Sequence, residues 1–376
     1  MNRKQLGRRI REEREKCGLT QHELADKLQW KSHATVVALE SGDRELKAFE
    51  LFQLSNILHM NVNDLYSESK TSPLVLWRKK PKAQRKLLER RFSLRSEEMN
   101  FLETILKDKL PQLRPLPRKE LDLRTADLFW ANELADSIRR ELDLGSLPAA
   151  TLFPRLEEEF GVRMFSESMG KDGSAACCYF SFGPAIFLNR DEVPWRQVFS
   201  IAHELFHLIT WNPTLVEKVE NSAALHRKNE ALADAFAAGL LLPEDLLRRD
   251  VRTVEEAGKL SHSGLIFLAR KYGVSTTAVL LRLRYLHYLS SDQLDQILND
   301  QTFHALDKKS FGKAFDGTPA FGARFLRLAY RAYQAAKISR ARLARLLETT
   351  LIDLPDFLST HGFPEVGHEE FAISSP

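Results

Sequence analysis

The sequence predicts a mainly α-helical protein of the α+β class, with one small antiparallel β-sheet. Three observations lead there. Apolar residues recur at helical spacing, between N-cap residues and stop glycines, from the N-terminus to about residue 67. Short β-prone runs gather between residues 162 and 189. Beyond Pro243 the periodicity is helical again. The expected architecture is a helical N-terminal bundle, a core with a small sheet, and a helical C-terminal region.

Leu6-Gly7-x-x-Ile10-Arg11 opens the N-terminal bundle. A second helix runs from Leu19 to Leu28, with Thr20 as N-cap and Glu23 completing a capping box. Ser32 starts a third, which passes through Val36 and Leu39 and stops at Gly42. Ala48 to Leu58 and Val62-x-x-Leu65 add closing helices. The segment resembles the repressor-type (XRE/Cro) helix-turn-helix domains. That resemblance implies a double-stranded DNA operator as partner, with the helix from Ser32 to Leu39 in the major groove. Val36 and Leu39 then face the core, while Ser32, His33, Ala34, Thr35 and Val37 face the bases. Gln21 holds a phosphate or braces a base contact. Glu13, Glu15, Asp43 and Glu45 among the basic residues leave open a bundle that binds protein instead.

A basic stretch follows, from Arg78-Lys79-Lys80 through Lys82, Arg85, Lys86, Arg90 and Arg91 to Arg95. Arg85, Lys86, Arg90 and Arg91 are candidates for neutralising nucleic-acid phosphates, and Trp77 and Phe92 for stacking on unpaired bases. Single-stranded DNA is therefore an expected activator. A solvated basic helix face explains the charge run equally well. Leu87, Leu88, Phe92, Met99, Leu102 and Ile105 argue for helices here, ending at the proline-rich Pro111 to Pro117.

Helices are next expected from Thr125 to Leu142 and from Ala149 to Phe160. Gly161 breaks the second, and Val162 to Phe165 begins a strand. Ala175 to Phe182 and Ala185 to Asn189 give two more, with Gly183-Pro184 as their turn. An edge strand beside the next helix suits an extended peptide.

That next helix carries the chemistry: Ser200-Ile201-Ala202-His203-Glu204-Leu205-Phe206-His207-Leu208. Histidines four residues apart share one helix face and grip one metal ion, with Glu204 beside the first. This is the zinc metalloprotease arrangement, in which the metal is a Lewis acid and the glutamate the base for water. Pro194 suits the first turn, Asp191 or Glu192 can cap it, and Trp195, Val198, Phe199, Ala202 and Phe206 form an apolar stripe. A third ligand is expected from the alanine-rich helix around Glu230 and Asp234, which share a face. Glu230 is the better ligand and Asp234 the better partner for a ligand histidine's ring N–H, with the reverse assignment open. Tyr179 or His226 could steady an oxyanion, although a structural role is the simpler reading of each.

The run from Phe199 through His207, followed by Glu230-x-x-Ala233-Asp234-x-Phe236-Ala237 and Leu240-Leu241-Leu242-Pro243, resembles the ImmA/IrrE metallopeptidases. The likeness extends from about Thr125 to about Leu289. It implies His203, His207 and Glu230 as Zn²⁺ ligands and Glu204 as general base. Phe206 is bulky where many members of that family carry a small residue, which raises a question of packing.

Beyond Pro243, Leu265 to Leu283 resembles a second helix-turn-helix, with a structural hairpin as the plainer reading. An amphipathic tail follows, marked by Phe321, Phe325, Leu328, Ala329, Tyr333, Ile338, Leu343 and Leu347. The expected divisions are 1–68, 69–120, 121–250 and 251–376. Across the 376 residues, 43% hydrophobic and 28% charged composition is that of a globular protein, and no membrane partner is expected. Cys17, Cys177 and Cys178 point to a reducing compartment, hence a cytoplasmic protein; the adjacent pair reads as strand thiols.

Two functions from different classes follow. One is a zinc endopeptidase making limited cuts in a helix-turn-helix repressor, or in itself, to switch on a stress, defence or mobile-element response. The other is a DNA-binding regulator whose peptidase-like core senses or scaffolds with little turnover. A homodimer is an expected form of either.

Overall fold

The computed structural model describes residues 3–58, 74–81, 84–107, 110–171, 173–256, 259–310 and 320–363. The helix expected at Val62-x-x-Leu65, and Lys82 of the basic stretch, lie outside them.

Local chemistry sets the N-terminal bundle. Helix α1 is Arg3–Lys16, α2 Gln21–Lys27, α3 Ala34–Ser41 and α4 Ala48–Ile57. Thr20 Oγ1 accepts the Glu23 N–H at 3.2 Å and Glu23 Oε2 accepts the Thr20 N–H at 2.7 Å, closing the capping box. Helix α3 starts two residues later than expected, because Ser32 Oγ accepts the Ala34 N–H at 3.2 Å in a turn of its own. Gly42 ends α3 in the left-handed region, at φ +82°. Ile10, Leu24, Leu28, Val36, Leu39, Leu54 and Leu58 form the core. Arg14 and Glu40 make a buried pair at 2.6 Å, and Glu40 also takes the Gln21 side-chain amide at 2.9 Å.

The basic stretch is built into the fold. Leu76–Trp77 form strand β1, and α5 spans Arg85–Ile105. Strands β2 (Arg163–Glu167), β3 (Ala176–Phe180) and β4 (Gly183–Asn189) join β1 in the order β1-β3-β4-β2. The α+β class holds, but the sheet is mixed and not purely antiparallel. Strand β3 is antiparallel to β1 and β4, whereas β2 and β4 run parallel, with Arg163 opposite Ala185. The hairpin turn falls at Ser181-Phe182, so that Phe180 pairs with Gly183. Strand β4, not β3, lies beside β2. Strand β4 is buried from Pro184 to Asn189, which suits its central place.

Helices α6 (Leu128–Glu141), α7 (Pro148–Glu158), α8 (Pro194–Ile209), α9 (Pro213–Glu220) and α10 (Ala223–Leu241) build the rest of this core. Helix α10 approaches α6 closely because its side chains there are small. A Cβ on Gly239 would lie 2.8 Å from Asn132 Oδ1 and 3.1 Å from Ala135 Cβ. Phe206 is fully buried, edge-on to Trp130 with ring centroids 6.3 Å apart and tilted against Phe236 at 5.6 Å. The ring is thus packed between α6 and α10.

Helix α11 (Glu244–Val254) leads through a two-stranded hairpin, β5 (Glu255–Glu256) and β6 (Lys259–Leu260), to α12 (His262–Tyr272) and α13 (Thr276–Tyr285). Leu265, Leu268, Tyr272, Val279 and Leu283 belong to the same hydrophobic core as the apolar residues of α8. This supports the structural reading of the second helix-turn-helix-like segment. Helices α14 (Ser291–Leu298) and α15 (Gln301–Ser310) follow. Among the described residues no single helix is long and apolar enough to span a membrane.

A second unit comprises residues 97–112 and 321–376, so α5 ends in it. Its described helices include α16 (Ala323–Gln334), α17 (Arg340–Leu346) and α18 (Leu354–Thr360). Arg324 pairs with Glu103, and Arg342 lies over the Phe101 ring at 5.9 Å from its centroid. Phe325, Leu328 and Leu343 of the amphipathic tail are buried.

Candidate metal centre

Helix α8 presents the chemistry. Pro194 occupies its first turn, and Val193 is the N-cap without a side-chain bond. Asp191 and Glu192 do not cap it, contrary to expectation. Asp191 Oδ2 instead accepts from Ser168 Oγ at 2.7 Å and from the Gly170 N–H at 2.8 Å. Glu192 accepts from Ser174 Oγ at 3.1 Å and Ser200 Oγ at 3.4 Å. From Ser200 to Ile209 every residue of the helix is buried.

His203 Nε2 and His207 Nε2 lie 3.2 Å apart. The Glu230 carboxylate, on α10, is 3.1 Å from the first and 3.3 Å from the second. Metal–nitrogen bonds of about 2.0–2.1 Å in a tetrahedron place donors about 3.3 Å apart, so the three fit one Zn²⁺. The far side of each ring is also held. Asp234 Oδ1 is 2.8 Å from His203 Nδ1, and the Asn229 side-chain amide is 3.3 Å from His207 Nδ1. The Asp234 carboxylate accepts the His203 Nδ1–H and so leaves that ring's Nε2 lone pair for the shared point. Asn229 was not singled out in the sequence. Its signal there is a lone amide beside Glu230 in an alanine-rich helix.

Burial disfavours the charged forms of Glu230 and Asp234, but hydrogen bonds with the histidines outweigh it and hold both carboxyls below their ordinary range. Burial likewise opposes protonation of His203, yet its bonds to Asp234 and Glu230 raise it to about 9. Glu204 goes the other way. Burial pushes its carboxyl up, against the pull of His203 and His207. Both of its oxygens are buried without a hydrogen-bond partner of good geometry. An orphaned carboxylate beside three converging donors fits a catalytic metal site with an open position. Burial also raises the Cys177 thiol, and lifts Cys178 to about 12, consistent with inert strand thiols.

Comparison with known proteins agrees with this geometry. Residues 157–284 match the Peptidase M78 family, described as the IrrE N-terminal-like domain, and residues 10–65 match a helix-turn-helix family. The chain carries a helix-turn-helix domain followed by an IrrE-like domain of the Peptidase M78 family. No curated protein matches the sequence. One solved structure, a Mycobacterium tuberculosis transcriptional regulator, is similar at 16% identity and a TM-score of 0.32, over 50% of this chain and 51% of that one. The chain thus spans about half the length of that structure.

In the helix-turn-helix domain, Ser32, His33, Ala34 and Val37 are exposed and Thr35 is half-buried, while Val36 and Leu39 are core. The His33 ring stacks on His22 with centroids 4.0 Å apart. In the IrrE-like domain, His226 stands one turn before Glu230 on α10, and Tyr179 lies under the Arg118 guanidinium, 3.8 Å from the ring centroid.

The stacking role read for Trp77 and Phe92 is corrected by the structure, because both rings are buried. Trp77 is edge-on to Phe187 at 6.5 Å and donates its indole N–H to Glu89 at 2.7 Å. Phe92 stacks on Phe187 at 4.9 Å and meets Phe180 edge-on at 5.6 Å. The neighbouring cations are engaged too. Arg85 pairs with Glu89 at 2.7 Å and Arg91 with Glu167 at 2.9 Å, while Arg90 pairs with the buried Glu13 of α1. Lys86 is exposed. Hydrophobic burial plus internal ion pairing makes α5 a strut between the helix-turn-helix domain and the sheet.

Proposed function

We propose that this protein is a zinc-dependent endopeptidase coupled to DNA binding, which makes limited cuts in a transcriptional repressor, or in itself, to switch on a stress, defence or mobile-element response. The observation that carries the reading is Glu204, a buried carboxylate with no nitrogen or oxygen partner and only the Cys177 thiol beside it, next to the converging donors of His203, His207 and Glu230. A scaffold or sensor has no need of that carboxylate, and burying it with so weak a partner costs stability.

Bound by those three residues, Zn²⁺ supplies Lewis acidity that polarises a scissile carbonyl and acidifies water. Glu204 takes a proton from the attacking water and passes it to the departing amine nitrogen. Its raised pKa suits both halves of that transfer. Asp234 and Asn229 keep the histidine rings oriented throughout. A cleft of about 800 Å³, lined by Tyr179, Phe180, Trp211 and Arg118, offers room for a substrate side chain. The helix-turn-helix domain binds double-stranded DNA and brings the peptidase to the operator where its substrate sits.

Cleavage of purified helix-turn-helix repressors, and of the protein itself, by the intact protein and by its Glu204→Gln variant tests the reading. The regulator alternative expects equal function from both.

A further inference from the structure

Arg78 follows β1 directly and lies outside the residues matched to the IrrE-like family, yet its side chain reaches the metal centre. One guanidinium nitrogen is 3.4 Å from Asp234 Oδ1, the same oxygen that lies 2.8 Å from His203 Nδ1. Another donates to Ser200 Oγ at 3.0 Å, on α8 one turn before His203. The guanidinium lies over the Phe199 ring, 5.1 Å from its centroid. Its backbone is fixed as well. The Arg78 N–H donates to the Ala175 carbonyl at 3.0 Å, continuing the pairing of Leu76 and Trp77 with β3. Both ends of this side chain are therefore set by the fold.

A carboxylate that takes the ring N–H of a ligand histidine fixes the ring's tautomer and angle, and losing it typically costs about 10–100-fold in metal affinity. The Asp234 side chain is 53% exposed, so water competes with His203 for it. A cation seated on the shared oxygen opposes rotation of the carboxylate away from the ring. At 3.4 Å the contact is longer than a strong charge-assisted bond, which places its effect at the low end of that range.

We propose that Arg78 is a positioning residue for the metal centre, holding Asp234 on His203, and that strand β1 delivers it. The segment between the DNA-reading domain and the peptidase core thereby supplies part of the metal site. This inference rests on the metal-centre reading, and its test separates the two.

Zn²⁺ affinity is measured on the intact protein by competition with a chromophoric chelator, and ligand geometry by the visible spectrum of the Co²⁺ form. The variants are R78A, R78K, D234A, R78A/D234A and H203A. Arg78→Ala should weaken Zn²⁺ binding about tenfold and shift the Co²⁺ bands. In the D234A background the same change should have no further effect, because Arg78 acts through Asp234. Arg78→Lys, which keeps the charge without the planar fork, should fall between wild type and R78A. If R78A does not fold, R78K compared in the two backgrounds carries the same test. Wild-type affinity in R78A, or an equal loss with and without Asp234, overturns the positioning role. Undiminished Zn²⁺ binding by H203A instead overturns the metal centre itself.

Discussion

His203 and His207 bring their Nε2 atoms to within 3.2 Å of one another. Two imidazole nitrogens this close, with the Glu230 carboxylate beside both, share a cation most favourably when it is a metal. The purified protein should hold about one zinc per chain, as a single three-ligand site implies. Alanine at His203, His207 or Glu230 should strip it, whereas Asn229→Ala, which leaves all three ligands, should weaken it by about tenfold. Elemental analysis after exhaustive buffer exchange reads the outcome. Metal content unaffected by all three ligand changes would place the site elsewhere.

Glu204 should be a stability liability in the metal-free protein. Its folded pKa lies above the ordinary carboxylate value because of burial, so the folded state binds the proton more tightly than the unfolded chain. The penalty is absent below the unfolded value and grows as pH rises towards the folded one. Above both it is fully present. Glu204→Gln removes the charge, so it should stabilise the metal-free protein at neutral pH and lose that advantage in acid. Denaturant midpoints with a chelator present, taken across that pH range, make the comparison. An advantage that grows towards low pH would reverse the assigned direction.

Phe206→Ala should cost about 3–5 kcal/mol, the usual range for emptying a buried phenylalanine site. Its ring fills the space between Trp130 on α6 and Phe236 on α10, and it also borders His207 at 5.5 Å. Loss of zinc affinity should accompany the loss of stability. Urea denaturation reads the first and chelator competition the second; a cost under about 1 kcal/mol would mean the site collapses around the missing ring.

Much of the fold was legible from local chemistry. The capping box at Thr20 and Glu23, the stop at Gly42 and the His203–His207 spacing depend on neighbours a few residues away, and each appears as read. What was not legible depends on residues distant in the chain. Strand order turns on which strand of the β3–β4 hairpin lies beside β2, and alternation within a strand does not record that. Trp77 and Phe92 look like exposed aromatics among cations, because the Phe187 that buries them is about a hundred residues further on. Arg90 and Arg91 likewise meet Glu13 and Glu167, acids outside their own stretch.

DNA reading should reside in the exposed start of α3. His33→Ala or Thr35→Ala should change sequence preference, with about 1–3 kcal/mol at the base concerned. Lys86→Ala should weaken binding evenly across sequences and reduce its salt dependence if that exposed lysine contacts phosphate. Binding curves on a panel of duplexes at several salt concentrations distinguish these outcomes. Equal affinity for every duplex, unchanged in the His33 and Thr35 variants, would count against a reading helix.

The most direct test of the whole account is Glu204→Gln in the intact protein, assayed side by side for zinc content, duplex binding and cleavage of a helix-turn-helix repressor or of the protein itself. Zinc and DNA binding should remain at wild-type levels, while cleavage falls by at least about 10²-fold, the low end of what a general base contributes. Cleavage at the wild-type rate by a variant that retains its zinc would contradict Glu204 as the base, and with it the central claim.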